Sequence, residues 1–134
     1  MKKFEILEHE ADLKIRVLGK SKKELFKNAM IGMESVLRPE GKGPKSEPKE
    51  IKIKSNDLNS LLVDFLSEIN YLNEANKEIY DKVKFAKFSD RELEGSLSGC
   101  KVKSFGLVIK GVTYHNLEIK QRNKIWQATI LFDI

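Results

Sequence analysis

The spacing of apolar residues switches between two periods in the first half of this chain and keeps to one in the second. Phe4 and Ile6, then Leu13, Ile15 and Val17, alternate with charged residues, which predicts two short strands with one buried face each. Leu25, Phe26, Ala29, Met30, Met33, Val36 and Leu37 recur at helical spacing. Ile51 and Ile53 alternate again, and Leu58, Leu61, Leu62, Phe65, Leu66, Ile69 and Leu72 form a second helical stripe. After that the chain reads as strands only, around Val83 to Phe88, Leu93 to Leu97, Phe105 to Ile119 and Ile125 to Ile134. The expected fold is α+β: strand-helix-strand-helix and then a run of strands, with two helices packed on a large, mostly antiparallel sheet.

Local signals punctuate this pattern. Gly19 ends the second strand, and Ser21-Lys22-Lys23-Glu24 has the spacing of a capping box. Pro39, Gly41, Gly43, Pro44 and Pro48 predict an exposed, mobile loop over residues 38–48. Asn56 and Asp57 offer caps to the second helix, and Gln121-Arg122-Asn123-Lys124 reads as a hairpin loop. The two strand-turn-helix segments, 13–37 and 51–74, share one pattern and suggest an internal duplication.

Length and composition exclude several classes. At 134 residues the chain is expected to form a single domain over residues 1–134, large enough for a hydrophobic core without disulfides. The lone Cys100 can form no internal bridge, which suits a reducing cytosol. Charge interrupts the N-terminal apolar positions too often for a signal peptide or a membrane span, so a soluble, cytoplasmic protein is expected. The balance of 25 Lys+Arg against 20 Asp+Glu is a modest surplus, with no basic stripe of interleaved aromatics. It is compatible with an RNA or acidic-protein neighbour and diagnostic of neither.

Motifs for covalent catalysis or nucleotide binding are missing from the sequence. Cys100 sits in Ser98-Gly99-Cys100-Lys101, no serine lies in a Gly-x-Ser-x-Gly elbow, and neither a P-loop nor a Gly-x-Gly-x-x-Gly fingerprint occurs. With His9, His115 and Cys100 as the only nitrogen and sulfur candidates, structural zinc is disfavoured. Oxygen donors are better supplied: Asp12 precedes a strand, and the sequence closes on Phe132-Asp133-Ile134, where an aspartate stands one residue from an α-carboxylate. Asp12 falls in step with Lys14 and Arg16, so it should project from the polar side of its strand. On spacing alone, however, Asp12 reads as a turn cap and Asp133 as part of a fraying end. His115 reads as a half-buried, hydrogen-bonded strand residue, His9 as able to turn either way, and Trp126 as core.

Four stretches taken together resemble the archease family: Glu8-His9-Glu10-Ala11-Asp12, Ser60-Leu61-Leu62-Val63-Asp64-Phe65-Leu66, Lys110-Gly111-Val112-Thr113-Tyr114-His115-Asn116-Leu117-Glu118 and Phe132-Asp133-Ile134. They occur in the family's order and cover essentially the whole chain. The resemblance implies a protein that is not itself an enzyme but a cofactor of RtcB-type tRNA-splicing RNA ligases. It would promote guanylylation of the ligase's active-site histidine and so allow multiple turnover, meeting tRNA and GTP through the ligase. It also implies a metal site on Asp12, Asp133 and the final residue, Ile134, with calcium the associated ion and magnesium or manganese also suited to oxygen donors. His9, Glu10 and His115 would be neighbours of that site. Three positions depart from the family pattern: Glu10 stands where Thr is usual, Lys14 where a small residue is common, and Val108 where an acid is common. Two other readings of the residues stay open, a metal-dependent phosphohydrolase or nuclease and a chaperone-like, RNA-binding adaptor. No membrane partner is expected, and the oligomeric state is left open by a long strand that could pair across a dimer edge.

Overall fold

A computed structural model describes residues 1–8, 12–114 and 117–134. In chain order its elements are β1 (Phe4–Glu8), β2 (Asp12–Gly19), α1 (Lys22–Val36), β3 (Pro39–Glu40), β4 (Lys49–Lys54), α2 (Leu58–Asn76), β5 (Glu78–Phe88), β6 (Glu92–Lys101), β7 (Ser104–Phe105), β8 (Gly111–Thr113), β9 (Ile119–Arg122) and β10 (Ile125–Asp133). Both helices begin where side chains can satisfy the orphan N–H groups of a first turn. Ser21 accepts from the Glu24 N–H at 3.1 Å, and Glu24 reaches back to the Lys20 N–H. Asp57, rather than Asn56, caps α2, accepting from the Ser60 N–H at 2.7 Å, a bond that holds its carboxyl below its ordinary value.

The α+β class is as the sequence predicts. The strands, expected as one large sheet, divide among three antiparallel ones. The five-stranded sheet has the order β1-β2-β10-β8, with β9 also paired to β10, and the three-stranded sheet has the order β4-β6-β5. The third is the short pair β3–β7. α1 packs against β2 of one sheet and β5 of the other, so helix surface rather than a shared strand joins the two larger sheets. The β2–α1 and β4–α2 units, whose likeness the sequence suggested, each begin in a different one of these sheets.

One hydrophobic core serves the whole assembly. Ile15 and Val17 of β2, and Ala128, Ile130 and Phe132 of β10, are fully buried under the helices. Phe26, Phe65, Phe85 and Phe88 stack in a chain of ring contacts between 5.0 and 6.0 Å that ties α1, α2 and β5 together. Each such pair adds about 0.5–1.5 kcal/mol beyond its buried area. Trp126 sits at the margin, half-buried, with Lys22 Nζ 5.1 Å from its ring centroid.

The expected strand from 105 to 119 is broken. Its alternation is present in Phe105, Leu107 and Ile109, but the Gly106 and Leu107 N–H groups donate to Arg38 and Leu37 at the end of α1. Those bonds draw the backbone off the sheet between β7 and β8. The loop over 38–48 is mostly exposed, as expected, yet it is strapped to β6: Gly43 and Ser46 donate to Lys101 and Gly99, and Lys101 donates to Pro44. The 121–124 loop is a tight hairpin in which Arg122 pairs with Ile125. Asn123 and Lys124 both have positive φ, 52° and 64°, the signature of a type I′ turn.

A polar junction lies inside this core. Glu34 of α1 accepts from Asn73 Nδ2 at 2.7 Å and from the Tyr80 N–H at 3.0 Å. Burial pushes its carboxyl up to about 8, against the lowering effect of those two bonds. Glu34 Oε2 and Asn73 Oδ1 are both buried with no hydrogen-bond partner. Nearby, Glu78 has no exposed surface and accepts from Tyr80 Oη at 2.8 Å, with Lys101 Nζ at 2.8 Å and Lys49 Nζ at 3.3 Å. Burial acts to raise the Glu78 carboxyl, but the bonds from Lys101, Tyr80 and Lys49 together hold it below its ordinary value.

Candidate metal centre

The strand register brings the two aspartates together. In the β2–β10 ladder Asp12 stands directly opposite Asp133, just as Lys14 stands opposite Leu131 and Arg16 opposite Thr129. Directly opposed residues on antiparallel strands share a face, with Cβ atoms about 4.5–5.5 Å apart. That face is the one away from the core, since the alternate residues Ile15, Val17, Ile130 and Phe132 are buried. Asp12 is half-buried and Asp133 exposed, and Ile134 follows at once, half-buried against the core.

β8 supplies the other side of Asp133. Gly111 pairs with Asp133, and the Lys110 N–H donates to the Asp133 carbonyl at 2.7 Å. Among the described residues, a Cβ built on Gly111 would meet no heavy atom within 4 Å, so none of them fills the space next to Asp133 on this face. Like charges directly opposed across a ladder destabilise it, and a cation between them reverses the sign. The donors are all carboxylate oxygens, a set that suits a hard divalent ion and not the nitrogen and sulfur preference of zinc. Among the described residues, no group of three or more His, Cys, Asp or Glu side chains gathers. What the structure brings together is therefore the pair Asp12 and Asp133, with Ile134 next in the chain. His9, Glu10 and His115, the expected neighbours, lie outside the described residues.

A second constellation was not singled out from the sequence. Asp64 of α2 accepts from Tyr114 Oη at 2.9 Å and from Ser55 Oγ at 2.6 Å. The bond to Asp64 raises the Tyr114 phenol above its ordinary value, and Asn59 Nδ2 donates to the Leu117 carbonyl at 3.3 Å. α2 thus fixes the chain at both 114 and 117. The available signal was Asp64 itself, an acid within the apolar run Leu61-Leu62-Val63-Phe65-Leu66. A lone acid there announces a partner but does not name it.

Comparison with known proteins places this geometry. Residues 4–134 match the model of the archease protein family (MTH1598/TM1083). The protein archease of Methanosarcina acetivorans is 36% identical, over 99% of this chain and 97% of its own length. The solution structure of protein 1598 of Methanobacterium thermoautotrophicum is similar at a TM-score of 0.78 and 28% identity, covering all of both chains. A crystal structure from Thermotoga maritima, described as an archease and possible chaperone, has the same fold at a TM-score of 0.68 and 22% identity, over 96% of this chain and 94% of its own. With a strand register that joins its two ends and a match over nearly its full length, the chain belongs to the archease family.

Proposed function

We propose that this protein is an activator, rather than a catalyst, of an RtcB-type RNA ligase, promoting guanylylation of the ligase's active-site histidine and multiple turnover. The observation that carries the reading is the register of Asp12 against Asp133, in a chain of the archease family. Asp12, Asp133 and the α-carboxylate of Ile134 are the residues that would hold a divalent cation, calcium in the first instance. Such an ion, when bound, supplies charge neutralisation for phosphate oxygens, and guanylylation is chemistry in which positioning and charge neutralisation provide most of the help. The strands do the rest. They hold two carboxylates on rigid backbone, next to the space at Gly111 that no described residue fills.

The test is single-turnover guanylylation of the ligase with and without this protein. Stimulation is expected, and is expected to vanish with a chelator and with Asp12→Ala, whose fold should be intact because the side chain lies on the face away from the core. A folded Asp12→Ala protein that stimulates normally would sink the proposal. Cation binding has its own readout: the ion should raise the melting temperature of the native protein, by about 2.7 kcal/mol of stabilisation at a hundredfold excess over Kd. That shift should be lost in Asp12→Asn and in a protein tagged after Ile134, where the tag displaces the carboxylate. Hydrolysis of RNA or nucleotides by the protein alone would favour a phosphohydrolase, and RNA binding indifferent to Asp12 would favour an adaptor.

A further inference from the structure

We propose that the groove between α2 and residues 103–112 is where an acidic segment of a protein partner docks, inserting an apolar side chain. Taking that partner to be the ligase rests on the function proposed above. Two cavities, of about 400 and 460 Å³, adjoin at Glu74 and Val108, which line both, and together make up the groove along α2. Its floor is aliphatic and aromatic, with Leu37, Phe105, Leu107 and Ile109 lining it. On its rim Tyr71 is 64% and Val108 57% exposed, in a protein whose other large apolar side chains are mostly buried. Large apolar groups kept in water beside a concavity mark an interaction surface, with the groove as the pocket for an anchor.

Charge selects the occupant. Lys77, Lys103 and Lys110 surround the groove, and among the described residues none of them makes an ion pair. Glu74 is the acid that lines both cavities. An apolar floor inside a net positive rim complements a segment with carboxylates around an aliphatic or aromatic side chain. A nucleic-acid strand would ask instead for several exposed aromatic faces along a cationic track, and among the residues that line this groove Tyr71 is the one with an exposed ring. The lining of the groove reaches Gly111, the ladder partner of Asp133, and Val112, the partner of the buried Phe132, so the groove lies on the helix side of the strand that carries Asp133.

Calorimetric titration of the purified ligase with native protein, Tyr71→Ser/Val108→Ser and Lys103→Glu tests the proposal, with cation binding measured in parallel. The substituted side chains are exposed, so unchanged melting temperatures and cation affinities are expected for both variants. Ligase affinity should fall at least tenfold in the double variant, and in Lys103→Glu it should fall while losing part of its salt dependence. Native-like affinity in both variants would overturn the groove and leave the ligase reading standing. No binding by the native protein would overturn the ligase reading, and this proposal with it. Preferential binding of a single-stranded RNA oligonucleotide, lost on the same substitutions, would assign the groove to nucleic acid and also overturn it.

Discussion

Glu34→Gln should make folding stability nearly independent of pH where the native protein loses it. Glu34 is carried into the core by the inner face of α1, and burial raises its carboxyl from 4.5 to about 8. The folded protein therefore binds a proton that the unfolded chain has released. A group with a raised folded value contributes most below the unfolded one, and its contribution falls as pH rises from 4.5 towards 8. At about 1.4 kcal/mol per pH unit, the loss between pH 5 and pH 8 is on the order of 4 kcal/mol. Glu34 Oε2 is the carboxyl oxygen left without a partner, so the proton belongs there, where as an O–H it is a donor in a junction that also holds the unpartnered acceptor Asn73 Oδ1. Gln presents an N–H at that position and keeps an oxygen for Asn73 Nδ2 and the Tyr80 N–H. Its extra buried N–H should leave the variant about 1 kcal/mol less stable at pH 5. It should be the more stable protein by about 3 kcal/mol at pH 8, so the two profiles cross. Urea denaturation from pH 5 to 9 provides the measurement, and the difference between the profiles isolates Glu34 from every group the two proteins share. Parallel profiles would refute the assignment of a proton to this site.

Two further substitutions probe the backbone. Lys124 holds a left-handed φ of 64° in the β9–β10 turn, so Lys124→Gly should stabilise the protein by roughly half a kcal/mol, read as a raised denaturation midpoint. Gly99 of β6 lies against the β5 backbone beside a bulge, and a Cβ there would collide with the Ile79 carbonyl. Gly99→Ala should destabilise by about 2–3 kcal/mol or more in the same assay, and a neutral result would mean that β5 can shift away from β6.

The helices were legible because their apolar residues are contiguous in sequence: the stripes from Leu25 and Leu58 are the buried faces of α1 and α2. The aspartate site was half legible. Alternation put Asp12 on the polar side of its strand, but that Asp133 stands opposite it is a matter of register between strands at opposite ends of the chain. Local pattern carries no information about such pairing, and the family resemblance supplied what spacing could not. The division into separate sheets was hidden for the same reason, since Leu107 and Ile109 alternate like strand residues whichever element captures their backbone. Glu34 and Asn73 were silent. A polar residue inside a helical stripe looks alike in sequence whether it faces solvent or is buried against a partner on another element.

The central place of β10 has a bearing on how the protein is made. The last strand in chain order runs through the interior of its sheet, between β2 and β8, with β9 on it as well. While residues 125–133 are still within the ribosome, β2 has no partner on that flank and Ile15 and Val17 lack the wall formed by Ala128, Ile130 and Phe132. Synthesis at about 5–20 residues per second leaves such an unpaired flank exposed for seconds. The pairing of Asp12 with Asp133 can therefore form only after β10 has been made.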